Sequence, residues 1–194
     1  MLFDAYLACN IPILYHLLDT VWTLHCKFVL PLTCDLRIQI VVSVAQALDY
    51  MHSLSPPIAH CNLKTANMML DDDLRPRVCD SGLSILRPLT NNSCKASEMA
   101  ISDCGYIPQE HGQTGIEGIK TNVYAFGVLL LELLTGRRPF DSSRPTEEQS
   151  LVKWASCRLH DYGALEDIVD LILRRSFSAK VLSRCTDIIS LCVQ

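Results

Sequence analysis

The chain has 194 residues, 49% of them hydrophobic and 20% charged, which is enough for one domain with a real core and excludes a wholly disordered chain. A formal net charge of −4 with no basic block excludes a surface built for nucleic acid or anionic lipid. The ten cysteines are scattered without a C-x-x-C pair, so they do not make a zinc ribbon or a dithiol redox motif and read as small buried hydrophobes in a reducing compartment.

Residues 1–32 form an apolar segment of unassigned structure. The stretch IPILYHLLDTVWTLHCKFVLPL is broken by His16, Asp19, His25 and Lys27, and a membrane span needs about 20 mainly apolar residues. Asp4 stands where a signal peptide would carry basic residues. The segment is expected to pack on the domain, with no direct membrane insertion. Next, LRIQIVVSVAQALDYMH spaces Ile38, Val41, Val42, Ala45, Leu48 and Met51 by three and four, which predicts a helix with one buried face. Pro56 and Pro57 end it and begin an extended segment.

That segment leads into HCNLKTANMML, from His60 to Leu70. From Asp80 to about Lys120 the chain is rich in Gly, Ser and Asn and reads as a long irregular stretch, the kind of loop that often carries function. It holds D-S-G at Asp80 to Gly82 and GYIPQE at Gly105 to Glu110. The run NVYAFGVLLLELLTG is apolar on nearly every side and too short for a bilayer, so it predicts a helix buried in mid-domain, stopped by Gly136. The tail offers three further helical patterns: LVKWASCRL, ALEDIVDLILRR and VLSRCTDIISLCV.

The order H-C-N-L-K-T-A-N, D-S-G, GYIPQE, N-V-Y-A-F-G-V resembles the C-terminal lobe of a protein kinase: catalytic loop, D-F-G, A-P-E and the long buried helix. The stretch VYAFGVLLLELLTGRRPFDSSRPTEEQSLVKWASCRLHD is similar to plant leucine-rich-repeat receptor-like kinases, above all the STRUBBELIG-receptor family. The resemblance implies a mainly α-helical, kinase-like C-terminal lobe over residues 33–194, with a small β element at the catalytic loop.

It also implies roles. Asn62 occupies the proton-acceptor position, where a carboxylate would take the substrate hydroxyl proton and a neutral amide cannot. Lys64 would neutralise charge on the transferring phosphoryl group. Asn67 and Asp80 would supply oxygen ligands to magnesium, the donor type a hard cation prefers. Cys61 replaces an arginine that grips an activation-loop phosphate, so phosphorylation at Thr90, Ser93, Ser97 or Ser102 would lack that receiver. His60, Gly82, Glu110 and Asn122 are implied structural residues. Asn122 stands where the family has Asp and is expected to cap the buried helix.

Other parts of the family pattern are missing from these letters. The first glycine is Gly82, the first glutamate is Glu98, and the only lysine before the loop is Lys27. No glycine-rich phosphate loop or Lys–Glu pair precedes the catalytic loop, and the N-terminal lobe is expected to be absent. The tail stops before the family's last helix, which would leave Glu110 without its arginine partner.

Three readings follow. The first is a pseudokinase signalling module that works through other signalling proteins or receptor kinases. It would lie on the cytoplasmic side of the membrane within a parent receptor, or in the cytoplasm when alone. The second is a Ser/Thr protein kinase using Mg-ATP. The third is a truncated product without a stable fold.

Overall fold

The computed structural model describes residues 15–16, 32–60, 62–71, 75–79, 105–107, 117–159, 161–174 and 176–194. Cys61, Asp80, Gly82, Glu110, the four candidate phosphorylation positions and most of residues 1–32 lie outside the described residues. Among the described residues no helix is long and apolar enough to cross a membrane.

Helix α1 spans Cys34–Ser53. Thr33 caps it by accepting the Leu36 N–H, and Asp35 adds a carboxylate in the first turn, where the helix dipole favours one. Its buried face is Leu36, Ile40, Val44 and Leu48, with Arg37 beside it. That corrects the face expected from sequence, of which only Leu48 is buried. Val41, Ala45 and Met51 are half-buried, and Ile38 and Val42 are exposed. The helix is apolar on two neighbouring faces, so periodicity alone cannot choose between them. Arg37 makes the choice, because it must reach the far end of the next long helix: its Nη1 donates to Leu133 O at 2.6 Å.

That next helix, α2, spans Glu117–Thr135. Ala125, Val128, Leu129 and Leu133 pack with α1 in one apolar cluster, while Leu131 and Leu134 belong to a second, shared with the tail. The expectation of a helix buried in mid-domain holds. Gly136 ends it at φ 67°, and its N–H bonds to Glu132 O at 2.8 Å. At Gly127 an added Cβ would lie 2.6 Å from the Cys192 Cβ, so this glycine sets how closely the last helix approaches.

The tail forms α3 (Leu151–Ser156), α4 (Tyr162–Ile168) and α5 (Ala179–Cys192). Ser150 caps α3 and Asp161 caps α4. Helix α4 is shorter than its pattern because Asp170 is taken by other partners. Its N–H bonds to Leu134 O at 2.9 Å, its carboxylate pairs with Arg37 at 2.6 Å, and it accepts from Ile172 N.

A small antiparallel sheet completes the fold, in the order β1 (Tyr15–His16), β2 (Met68–Leu70), β3 (Pro76–Val78). Met68 faces Val78 and Leu70 faces both Pro76 and Tyr15. The sheet lies directly after the HCN loop, as expected.

Candidate functional site

The HCN loop is held by its own apolar anchors. Leu63 and Met68 are buried in the cluster formed by α1 and α2, so the polar residues between them are presented at fixed positions. A turn of 3-10 helix at Thr65–Asn67 joins the loop to β2.

His60 is fully buried. Its Nε2 lies 3.0 Å from Cys79 O, and its Nδ1 accepts the Asn62 N–H at 3.3 Å. A carbonyl only accepts, so Nε2 carries the proton and Nδ1 the lone pair. Cys79 N–H returns to Asn67 O at 2.8 Å, closing a clasp between the loop and the residue just before D-S-G. Asn67 is buried, and its Nδ2 donates to Asn62 O at 2.7 Å. Asn62 therefore has both its backbone groups tied down and only a half-buried amide left to act. Lys64 is half-buried and starts the 3-10 turn, where its carbonyl accepts from Asn67 N at 2.9 Å.

The structure thus brings together His60, Asn62, Lys64 and Asn67. Asn122 is placed differently from expectation. It lies inside α2, beyond its first turn, and not at the helix start. Its side chain is buried, and its Nδ2 is 3.3 Å from His52 Nε2 in the last turn of α1. The amide bridges two helices because α2 begins a turn earlier than its apolar pattern does.

Sequence reasoning missed a second polar cluster directly behind the loop. Thr65, Tyr106 and Glu132 are all buried. Tyr106 Oη lies 3.1 Å from Thr65 N and 2.9 Å from Thr65 Oγ1, and it donates to Glu132 Oε2. Thr65 Oγ1 reaches Glu132 Oε1 at 3.3 Å. Burial pushes the Glu132 carboxyl up to about 8, against the opposing pull of its two hydroxyl partners. Burial, then the neighbouring Glu132, raises Tyr106 well above the usual phenol value. One signal was legible beforehand: Glu132 is the sole charged letter in NVYAFGVLLLELLTG, and a lone carboxylate in an apolar helix needs partners.

The magnesium role tests only in part on this geometry. Asn67 is a buried carboxamide fixed beside Asn62, a suitable oxygen donor for a hard cation. Asp80 lies outside the described residues, and among the described residues there is no cluster of three or more His, Cys, Asp or Glu side chains able to hold a metal.

With this geometry in place, comparison with known proteins is direct. A model of the protein kinase domain matches residues 20–194. The chain is 56% identical over 174 residues to the STRUBBELIG-receptor family 2 protein of Arabidopsis thaliana, covering 88% of this chain and 24% of that protein. It is 43% identical to the family 5 protein of the same plant, covering 84% of this chain and 22% of that protein. The chain thus spans about a quarter of the length of these relatives. Among solved structures it is similar to the pseudokinase domain of BIR2, an immune regulator of the RLK/Pelle family. The TM-score is 0.63 at 28% identity, covering 84% of this chain and 47% of that one. The kinase domain of maize SIRK1 bound to AMP-PNP shares the fold, with a TM-score of 0.67 at 24% identity over 93% of this chain and 60% of that one. The chain belongs to the protein kinase domain family, among the plant receptor-like kinases.

Proposed function

We propose that this chain is a kinase-like signalling lobe that acts through contacts with other signalling proteins or receptor kinases and does not itself transfer phosphate. The observation that carries this reading is Asn62. The loop around it is built and clasped, with His60, Asn67 and Cys79 bonded to one another, yet the proton-acceptor position presents an amide. General-base assistance contributes about 10²–10⁴ in rate, and an amide supplies none of it. The likeness to the BIR2 pseudokinase domain supports the same reading. In the cell this lobe would lie on the cytoplasmic side of the membrane as part of a longer receptor.

The alternative reading, a Ser/Thr kinase using Mg-ATP, draws on the buried and oriented Asn67. Mg-ATP, where bound, would meet Asn67 and Asp80 and supply the phosphoryl group. This chain's own contribution would then be to hold the metal oxygens and to place Lys64 beside the phosphate.

The deciding experiment measures phosphate transfer from labelled Mg-ATP to a generic basic protein and to the chain itself, with Asn62→Asp and Asp80→Ala in parallel. No transfer by the natural chain is expected. Transfer that Asp80→Ala abolishes would make the kinase reading correct. A thermal melt with and without Mg-ATP separates binding from chemistry, since a ligand that binds only the folded state raises the transition.

A further inference from the structure

A groove far in sequence from the HCN loop is built from the C-terminal turn of α2, from α3, and from α4 with the turn after it. It encloses about 400 Å³ and is lined by Arg137, Trp154, Ile168, Ile172 and Arg174, with the Arg37–Asp170 pair also contributing. Arg137 lies over Trp154, its guanidinium carbon 3.7 Å from the ring centroid, and Arg158 approaches the same ring at 4.9 Å. Such stacking leaves the edge N–H groups of a guanidinium free of the ring, and in Arg137 the Nη2 edge is the one that Glu148 takes.

The charges are incompletely matched. Arg137 Nη2 reaches the carbonyl and the Oε2 of Glu148, both at 3.3 Å, and Arg144, paired with Asp141 at 3.2 Å, shares that carboxylate at 3.7 Å. Arg174 donates to the carbonyls of Val169 and Asp167, and Arg158 to that of Trp154. Among the described residues neither has a carboxylate within ion-pair distance. Burial first, and then the repulsion of Arg144, hold Arg137 below its usual value against the pull of Glu148, with Arg158 adding to the repulsion. The lining carries three arginines against two aspartates, Asp167 and Asp170. Asp170 is spent on Arg37, so among the lining residues Asp167 opposes an incoming anion, as does Glu148 beside Arg137.

We propose that this groove docks an acidic segment of a partner protein. A carboxylate side chain would sit on Arg137 and Arg174, and an apolar neighbour would lie against Trp154, Ile168 and Ile172. Arginine and tryptophan are the residues that most often anchor such contacts, and the arginines exclude a purely apolar occupant, which would cover charge without pairing it. The inference goes beyond the reading above, because none of these residues belongs to the HCN loop and a phosphate-transferring lobe would carry the same groove.

The test is fluorescence anisotropy with the whole chain and a labelled, end-blocked peptide DELDE, compared with the neutral peptide NQLNQ and with anionic phospholipid vesicles. The acidic peptide is expected to bind and to weaken as salt is added. Asp167→Asn is expected to tighten binding and Arg174→Gln to weaken it, each by about two- to fivefold, the worth of one partly exposed charge pair. Tightening cannot come from a misfolded variant. Equal binding of the neutral peptide, unchanged affinity in Asp167→Asn, or a preference for vesicles over peptide would each overturn the proposal.

Discussion

Glu132 shows what a single residue contributes here. It is fully buried in the last turn of α2, with Thr65 and Tyr106 as its hydroxyl partners. Its carboxyl is raised from 4.5 to about 8, chiefly by burial. Because the folded value exceeds the unfolded one, the folded chain keeps a proton that the unfolded chain releases. The stabilisation is therefore complete below the unfolded value of 4.5 and is lost as pH rises through about 8. At about 1.4 kcal/mol per pKa unit, the loss across that window is on the order of a few kcal/mol. Glu132→Gln keeps the shape and cannot ionise, so its denaturation midpoint is expected to change much less between mildly acidic and alkaline buffer. Parallel pH dependence in the two proteins would show that the Glu132 proton is not the cause. The lone charge was legible in the sequence. Its partners were not, because Thr65 lies 67 residues away and Tyr106 lies 26 away, and no local pattern encodes such a meeting.

Whole elements were read more reliably than the faces they bury. Helix α2 announced itself through an apolar run with a single charge, Glu132, and a closing glycine, both local signals. The catalytic-loop letters marked His60 and Asn67 only by resemblance, and their clasp through Cys79 emerges from the fold. The buried face of α1 was misread because Ile38 and Val42 belong to a second apolar face, and only the long-range hold of Arg37 on Leu133 O selects between them. The crossing of α2 and α5 makes the same point in reverse, since a glycine inside a helix looks like a weakness. Gly127 is instead the contact point: an added Cβ would meet the Cys192 Cβ at 2.6 Å and the Val193 Cγ1 at 2.7 Å. Gly127→Ala improves helix propensity by about 1 kcal/mol but must push α5 outward. Overpacking of this kind costs about 1–3 kcal/mol, so a net loss of stability is expected in a urea titration. A variant as stable as the parent would mean that α5 shifts without cost.

At the scale of the molecule, the two apolar clusters are not separate folding units, because α2 supplies residues to both. Arg37 reinforces the link. From the start of α1 its Nε bonds to Leu32 O at 3.0 Å, its Nη1 to Leu133 O at 2.6 Å, and its Nη2 to Asp170 at 2.6 Å. Asp170 in turn bonds Leu134 O through its own N–H, so one partly buried ion pair joins α1, the end of α2 and the turn after α4. Breaking a fully buried pair from one side costs about 3–5 kcal/mol; with Asp170 19% exposed, the loss here is expected at or below the lower end of that range. Arg37→Ala is therefore expected to lower the thermal midpoint strongly, and adding Asp170→Ala to it to lower the midpoint little further, so the double variant falls short of the sum of the two singles and the shortfall measures the coupling. Because α2 remains common to both clusters, the single variant should still melt in one transition when followed by circular dichroism and by tryptophan fluorescence. Two separated transitions would show that the ion pair, and not the shared helix, unifies the lobe. The distinction matters for function: a lobe that unfolds as one unit presents the HCN loop and the arginine groove together or not at all.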